Sequence, residues 1–287
     1  MMPESLKLAA ICMTSGSDKT KNVEAAIGLV RQAAKAGADW VQLPEIFPFH
    51  GSYEIIHEMA EFEDGPLNQK LAALARELKI VLFAGTVGER PRDLSDDQVK
   101  NKDGHRRVYN TSYVFGRDGA LLGKYRKTHL FNLLGDDGRP RYCESDGFIQ
   151  GDTPQTLKVE GLTVGLSICY DLRFPELYTK LGRNGHLDVI CVPSAFTKGT
   201  GMYHWELLLR ARAVENQAYV FAANQTGVHA PGKESWGHAM VIDPWGTVLA
   251  DTGEAPGVAV AAMSLAALAD IRGRLPALKN RRPELYR

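Results

Sequence analysis

Cysteine is scarce and scattered in this chain. Cys12, Cys143, Cys169 and Cys191 stand far apart, with no CxxC pair among them. That spacing argues against both a thiolate metal site and a disulfide framework, and it fits a reducing, cytoplasmic setting. No apolar run approaches the roughly 20 residues that a transmembrane helix needs. The N-terminus shows no basic, apolar and small-residue succession of the kind that marks a secretory signal. Net charge is missing too: 34 Lys and Arg balance 34 Asp and Glu. With those charges dispersed, neither nucleic acid nor a membrane surface is expected as a partner. No histidine pair has metal spacing such as HExxH, and low-complexity tracts are absent.

What is present is enough apolar material for a large core, 44% of 287 residues. Length alone allows one big domain or two ordinary ones. The pattern of elements runs twice. In the first half, Leu6–Met13 reads as a strand, Lys19–Ala36 as an amphipathic helix and Trp40–Leu43 as a short strand. Asn68–Leu78 follows as a helix and Ile80–Val87 as a strand, and Val108–Phe115 and Leu121–Tyr125 flank an Asp118-Gly119 turn. In the second half, Leu162–Ile168 reads as a strand, Phe174–Asn184 as a helix and Val189–Val192 as a strand. His204–Asn216 follows as a helix and Tyr219–Asn224 as a strand, and Ala239–Asp243 and Thr247–Ala250 flank Pro244-Trp245-Gly246.

Apolar strands alternating with helices imply an α/β fold with parallel-rich sheets covered by helices. Two such halves fit one continuous sheet or two stacked sheets. The alternating hairpin strands favour stacking, because one face of each sheet must then be buried without a helix. The expectation is a single four-layer α-β-β-α domain over residues 1–287 with an internal pseudo-twofold repeat. Three segments lie outside the pattern: a charged surface loop at Arg90–Gly104, a Gly/Pro/Asp-rich stretch at Gly135–Thr153, and a tail at Leu265–Arg287. The tail reads either as a solvated end or as an arm across a partner subunit.

Chemistry concentrates where apolar strands end. Cys169 follows the strand Leu162–Ile168 and precedes a polar turn and Pro175, a helix-start residue. A thiol there is exposed in a tight turn beside the first amides of a helix, a suitable place for a nucleophile and its oxyanion. A buried structural cysteine fits the same turn equally well. Glu45 follows Trp40-Val41-Gln42-Leu43-Pro44, and Lys127 closes Lys124-Tyr125-Arg126-Lys127. Each alone reads as a helix-start acid or a solvated base. Together they supply a carboxylate to take the thiol proton and a cation for the oxyanion, with the Tyr170 N–H as a further donor. A Cys–His pair is the competing scheme, with His129, His204, His229 and His238 in range of loops.

These motifs resemble those of the nitrilase, or carbon–nitrogen hydrolase, superfamily. Leu43-Pro44-Glu45, Lys124-Tyr125-Arg126-Lys127-Thr128-His129-Leu130 and Ser167-Ile168-Cys169-Tyr170-Asp171-Leu172-Arg173-Phe174-Pro175-Glu176-Leu177 occur in the family's order. The similarity continues through His204-Trp205-Glu206, Arg210-Ala211-Arg212-Ala213, Glu215-Asn216-Gln217, Gly237-His238 and Asp243-Pro244-Trp245-Gly246. The resemblance implies an α-β-β-α sandwich that pairs into an eight-layer homodimer, and no metal or organic cofactor. It maps a catalytic triad onto Glu45, Lys127 and Cys169, and a second glutamate, which orients or polarises the amide, onto Glu144 of Glu144-Ser145.

The Tyr170-Asp171-Leu172-Arg173-Phe174-Pro175-Glu176 stretch resembles amidases rather than true nitrilases. Arg210–Glu215, Ala222–His229 and Arg281–Tyr286 resemble deaminated-glutathione amidases, whereas ω-amidases share the Trp motifs but diverge near Asn224–His229. The implied reaction is hydrolysis of a carboxylate-bearing small amide to acid plus ammonia through a thioester, with a deaminated-glutathione amidase favoured. An ω-amidase acting on α-ketoglutaramate, an N-carbamoyl amide hydrolase and a catalytically idle binding or scaffold member are the alternatives. Arg173 is a candidate carboxylate anchor, or else an arginine tied to a neighbouring acid. Phe196 and Tyr53 either shape the pocket or pack in the core. Trp205, Arg210, Arg212 and Glu215 are assigned to helix packing or a dimer face, and Cys143 to no role.

Overall fold

A computed structural model describes residues 5–135, 137–183, 185–230 and 233–285. Two sheets stack face to face, each backed by helices. The first half supplies β1 (Ser5–Met13), α1 (Lys19–Lys35), β2 (Trp40–Gln42), α2 (Pro66–Leu78), β3 (Val81–Phe83), β4 (Val108–Phe115) and β5 (Leu121–Arg126). The second supplies β6 (Thr156–Val159), β7 (Leu162–Leu166), α3 (Pro175–Leu181), β8 (Val189–Cys191), α4 (Lys198–Asn216), β9 (Tyr219–Ala222), β10 (Asn224–Ala230), β11 (Lys233–Trp236), β12 (Met240–Ile242) and β13 (Val248–Asp251). The chain then runs through β14 (Gly257–Ser264) into α5 (Leu265–Arg274).

The internal repeat is visible in strand order. One sheet runs β14-β1-β2-β3-β4-β5 and the other β6-β7-β8-β9-β12-β13. In both, three parallel strands are flanked by one antiparallel strand on one side and two on the other. The period of two along β1 sorts its side chains. Leu6, Leu8, Ala10 and Cys12 meet the second sheet, where Val164, Leu166 and Ile190 share their core. Ala9, Ile11 and Met13 face Val23, Ala26 and Val30 of α1 and Leu71 and Leu74 of α2. On the far side of the second sheet, Tyr178 of α3 and Trp205 and Leu209 of α4 are buried. The layers are therefore α-β-β-α, as the sequence pattern suggests.

Several expected boundaries shift. The single strand Ile80–Val87 is broken after Phe83, because Gly85 turns the chain with φ +56° and only Val87–Glu89 resumes pairing, on β4. The strand Tyr219–Asn224 changes sheets at its end: β9 pairs with β8, while Asn224 and Gln225 pair with Cys12 and Met13 of β1. The helix read as Phe174–Asn184 stops at Leu181 and is followed by Gly182, with Asn184 outside the described residues. The helix read as His204–Asn216 begins earlier, at Lys198. The charged loop at Arg90–Gly104 carries one short helix, Asp96–Val99, closed by a Ser95–Gln98 capping box. Within Gly135–Thr153, Pro140–Cys143 pairs with Asn132–Leu134 and Phe148–Ile149 adds to β4.

The tail divides. Its first part, α5, docks on its own chain through buried Leu268 and Ile271, and Arg272 bridges Asp188 at 3.0 Å and the Gln217 carbonyl. Residues 276–285 are mostly exposed, and Tyr286 and Arg287 lie outside the described residues.

Candidate active site

The two sheets bring their parallel strand ends together. Leu43-Pro44-Glu45 after β2 and Val192-Pro193-Ser194 after β8 occupy corresponding places in the two halves, and Glu45 N donates to the Ser194 carbonyl at 3.3 Å. A Pro just past a strand cannot extend the ladder, so each strand opens at the same point. Gly85 makes room beside the first opening: a Cβ there would lie 2.1 Å from the Pro44 carbonyl oxygen.

Cys169 sits after β7, in the left-handed region at φ +47° and almost fully buried. A non-glycine residue held there is strained, and the surroundings must hold it. Its own N–H donates to the Pro193 carbonyl at 3.0 Å. Asp171, wholly buried, accepts from the Ile168 N–H at 2.8 Å, which locks the turn. The same carboxylate accepts from the Tyr125 hydroxyl at 2.8 Å, the Thr128 hydroxyl at 3.2 Å and the His129 N–H at 3.1 Å. Tyr125 and Thr128 flank Lys127, so Asp171 fixes the lysine segment to the cysteine turn. The motif resemblance gives Asp171 no role of its own. Its one signal was an acid in a capping place after an apolar strand.

Lys127 lies between two carboxylates. Its ammonium donates to Glu45 Oε1 at 2.8 Å and to Glu144 Oε1 and Oε2 at 2.8 and 2.7 Å. Asn110 Nδ2 bridges the same two acids, 2.9 Å from Glu45 and 3.1 Å from Glu144. Glu45 Oε2 accepts from the Ala195 N–H at 2.8 Å, and Glu144 Oε2 from the Phe131 N–H at 2.6 Å. Asn110 and the Ala195 amide belong to this network, and nothing in their spacing along the chain announced them.

Burial sets the charge states. It pushes the Cys169 thiol well above the ordinary thiol range; Glu45 and Glu144 add to the rise, and Lys127 and the Ala195 N–H oppose it. Burial works against the Lys127 charge, but Glu144 and Glu45 outweigh it and hold the ammonium well above its usual value. Burial also pushes the Glu144 carboxyl up, with Lys127 opposing. The sulfur therefore rests as a thiol, and attack on a carbonyl requires its proton to leave in the same step.

One cleft joins these groups: Glu45, Lys127, Glu144 and Cys169 line it together with Tyr53, Phe131 and Lys233. Cys169 also faces a second, smaller recess with Tyr170, Arg173, Phe131, Phe196 and Thr197. All eight residues singled out from sequence thus border one or other of two spaces that share Cys169, Phe131, Ala195 and Thr197. The Tyr170 N–H, first in the turn after Cys169, has no hydrogen-bond partner among the described residues. Arg173 is half-buried, with its guanidinium 5.1 Å from the Phe196 ring centroid and its Nη1 3.3 Å from His204 Nδ1. Among the described residues it pairs with no acid, so the tied-arginine reading fails.

The histidines of the competing scheme are engaged elsewhere. His129 Nδ1 lies 2.7 Å from Asp171, His204 contacts Arg173, His229 Nδ1 lies 2.7 Å from the Ser15 carbonyl, and His238 pairs with Asp251 at 2.8 Å. Trp205 donates to the His238 carbonyl at 2.8 Å inside the fold. No cluster of metal-ligating side chains occurs among the described residues.

Known proteins share this architecture. The carbon–nitrogen hydrolase family pattern matches residues 7–273. The deaminated glutathione amidase of Homo sapiens is 40% identical over 285 residues, covering 98% of this chain and 84% of that protein. Omega-amidase NIT2 of Homo sapiens is 39% identical over 284 residues, covering 98% of this chain and 97% of that protein. The crystal structure of the C. elegans NitFhit protein superposes with a TM-score of 0.89 at 36% identity, over 100% of this chain and 67% of that one. With a cysteine, a lysine and two glutamates gathered at the strand ends of a stacked α-β-β-α fold, the chain belongs to the carbon–nitrogen hydrolase family.

Proposed function

We propose that this protein is a cysteine amidase that hydrolyses a carboxylate-bearing small amide through a thioester. The observation that carries the proposal is Lys127, bonded to both Glu45 and Glu144 in the cleft that Cys169 borders. Glu45 takes the thiol proton as sulfur attacks the amide carbon. Lys127 and the Tyr170 N–H receive the oxyanion. Glu45 then gives the proton to the departing nitrogen as the C–N bond breaks. Water enters, Glu45 removes its proton as the oxygen attacks the thioester carbon, the C–S bond breaks to free the acid, and Glu45 returns the proton to sulfur. Glu144 accepts from Lys127 with both oxygens, from Asn110 and from the Phe131 amide, so its role is to hold Lys127 in place. This narrows the expectation that it polarises the amide directly. Arg173, with no acid of its own, anchors the substrate carboxylate against Phe196.

The leaving group differs between the two candidate substrates. A primary amide such as α-ketoglutaramate releases ammonia, but the amide bond of deaminated glutathione releases cysteinylglycine. The assay must follow both products. The test is a panel of these two substrates, an N-carbamoyl amine and a simple nitrile, run on the wild type and on Cys169→Ala. The expected result is turnover of one or both carboxylate-bearing amides by the wild type, a loss of roughly 10³-fold or more in the variant, and an unchanged circular dichroism spectrum. Carbon dioxide release with ammonia would select the carbamoyl reading. Substantial turnover by Cys169→Ala would reject the covalent scheme.

We further propose a homodimer joined through α4, in keeping with the single domain of residues 1–287. Met202, Tyr203, Leu207 and Val214 of this helix are exposed apolar side chains on an element otherwise packed into the fold. The four free thiols favour a reducing compartment such as the cytoplasm. No helix among the described residues is long and apolar enough to cross a membrane.

A further inference from the structure

The space around Cys169 has two arms, and an amide bond has two sides. The recess at Arg173 and Phe196 is one arm. The other holds Glu45, Lys127 and Glu144 and continues past Tyr53, His50 and Lys233 into an outer cavity that shares those last three residues. Glu45 and Lys127 border only the second arm. The nitrogen that receives the Glu45 proton must therefore leave along it, while the acyl half lies toward Arg173. Ammonia would need no more than the inner end of this arm, yet the arm runs on and carries a cation. Lys233 stands with its ammonium 5.3 Å from the Tyr53 ring centroid, and among the described residues it forms no ion pair. Glu234, beside it in sequence, is taken by Lys198 at 2.9 Å.

His50 adds a second observation. Its Nδ1 is buried and has no hydrogen-bond partner among the described residues. The ring packs against His229, 3.9 Å between centroids and tilted by 32°. His229 is itself fully engaged, with Nδ1 2.7 Å from the Ser15 carbonyl and Nε2 2.9 Å from the Ser235 hydroxyl. A buried polar atom with no partner is costly, and a ligand atom in the arm would supply one. The acids of the inner arm, Glu45 and Glu144, are bonded to Lys127, and those of the outer cavity, Glu54, Asp103 and Asp146, do not line the inner arm; Lys233, where the two meet, is the cation left to receive an anion.

We propose that Lys233 and His50 form a subsite for the carboxylate at the far end of a peptide leaving amine, the half that an ammonia-releasing amide lacks. The subsite rests on the amidase reading and deepens it: Arg173 would hold the acyl half and Lys233 the leaving half, with Cys169 between them.

A matched pair of substrates tests this. One is deaminated glutathione. The other is the same molecule with its terminal carboxyl converted to a carboxamide. The wild type should favour the free acid by about tenfold in kcat/KM, the scale of one charge-assisted hydrogen bond. Lys233→Met should bring that ratio close to one, mainly through KM, and Lys233→Arg should preserve it. No preference in the wild type, or an unchanged ratio in Lys233→Met, overturns the subsite. Ammonia release from α-ketoglutaramate with no cleavage of either peptide amide also overturns it and leaves the amidase reading standing. Turnover of none of the three defeats both.

Discussion

At the scale of single residues, the site depends on an imbalance. One buried ammonium faces two buried carboxylates, and Lys127 is only 2% exposed. Removing one member of such a cluster leaves charge buried without a partner, at a cost of about 3–5 kcal/mol. Lys127→Met should therefore lose both turnover and about that much stability in urea denaturation. Adding Glu144→Gln to it removes one stranded charge and should restore part of the stability but none of the activity. A double-mutant cycle that found the two changes additive would mean that Lys127 and Glu144 do not act as a unit. The chemistry of Glu45, Lys127 and Cys169 was legible in the motifs. Asn110 and Asp171 were not, because each acts by bonding groups far away in sequence: Asn110 spans Glu45 and Glu144, and Asp171 joins the Cys169 turn to Tyr125 and Thr128.

At the scale of elements, strand ends do the positioning. Glu45 stands where it does because β2 stops at Gln42 and the turn after β3 passes close behind Pro44, a passage open only to Gly85. Gly85→Ala places a side chain on a left-handed residue and against a carbonyl oxygen. The expected cost is at least about 1–3 kcal/mol, read as a lower Tm, together with a fall in kcat as Glu45 shifts. An unperturbed variant would show that this turn does not set the glutamate. Strand β14 went unread because Gly257-Val258-Ala259-Val260-Ala261-Ala262-Met263-Ser264 is rich in alanine and weak in β-propensity. Its place is secured by eight paired residues along β1 instead. The start of α4 was hidden for a similar reason, since Gly199 and Gly201 are poor helix formers. Gly201 is required by packing: a Cβ there would fall 2.4 Å from Trp236.

At the scale of the whole molecule, α4 covers the second sheet with one face and leaves another bare. Tyr203 and Leu207 are 69% and 65% exposed, and Trp245 is 55% exposed. These exposed apolar side chains are the basis of the proposed α4 dimer interface. Sedimentation velocity should show a dimer for the wild type and a monomer for Tyr203→Glu/Leu207→Glu, with secondary structure retained. A monomeric wild type at micromolar concentration would dispose of the α4 interface.

The sequence by itself determined the repeated order of strands and helices, the buried faces and the chemical types at the strand ends, because period, turn residues and side-chain chemistry are local properties. Only the tertiary structure decided that the ends of β2, β5 and β7 meet at one point, that Arg173 faces the recess beside Cys169 with no acid paired to it among the described residues, and that Lys233 borders the same cleft as Cys169. Those relations span 82 residues between Glu45 and Lys127 and 150 between Glu45 and Ala195. They arise from stacking two sheets, whose common core forms only when the halves close on each other.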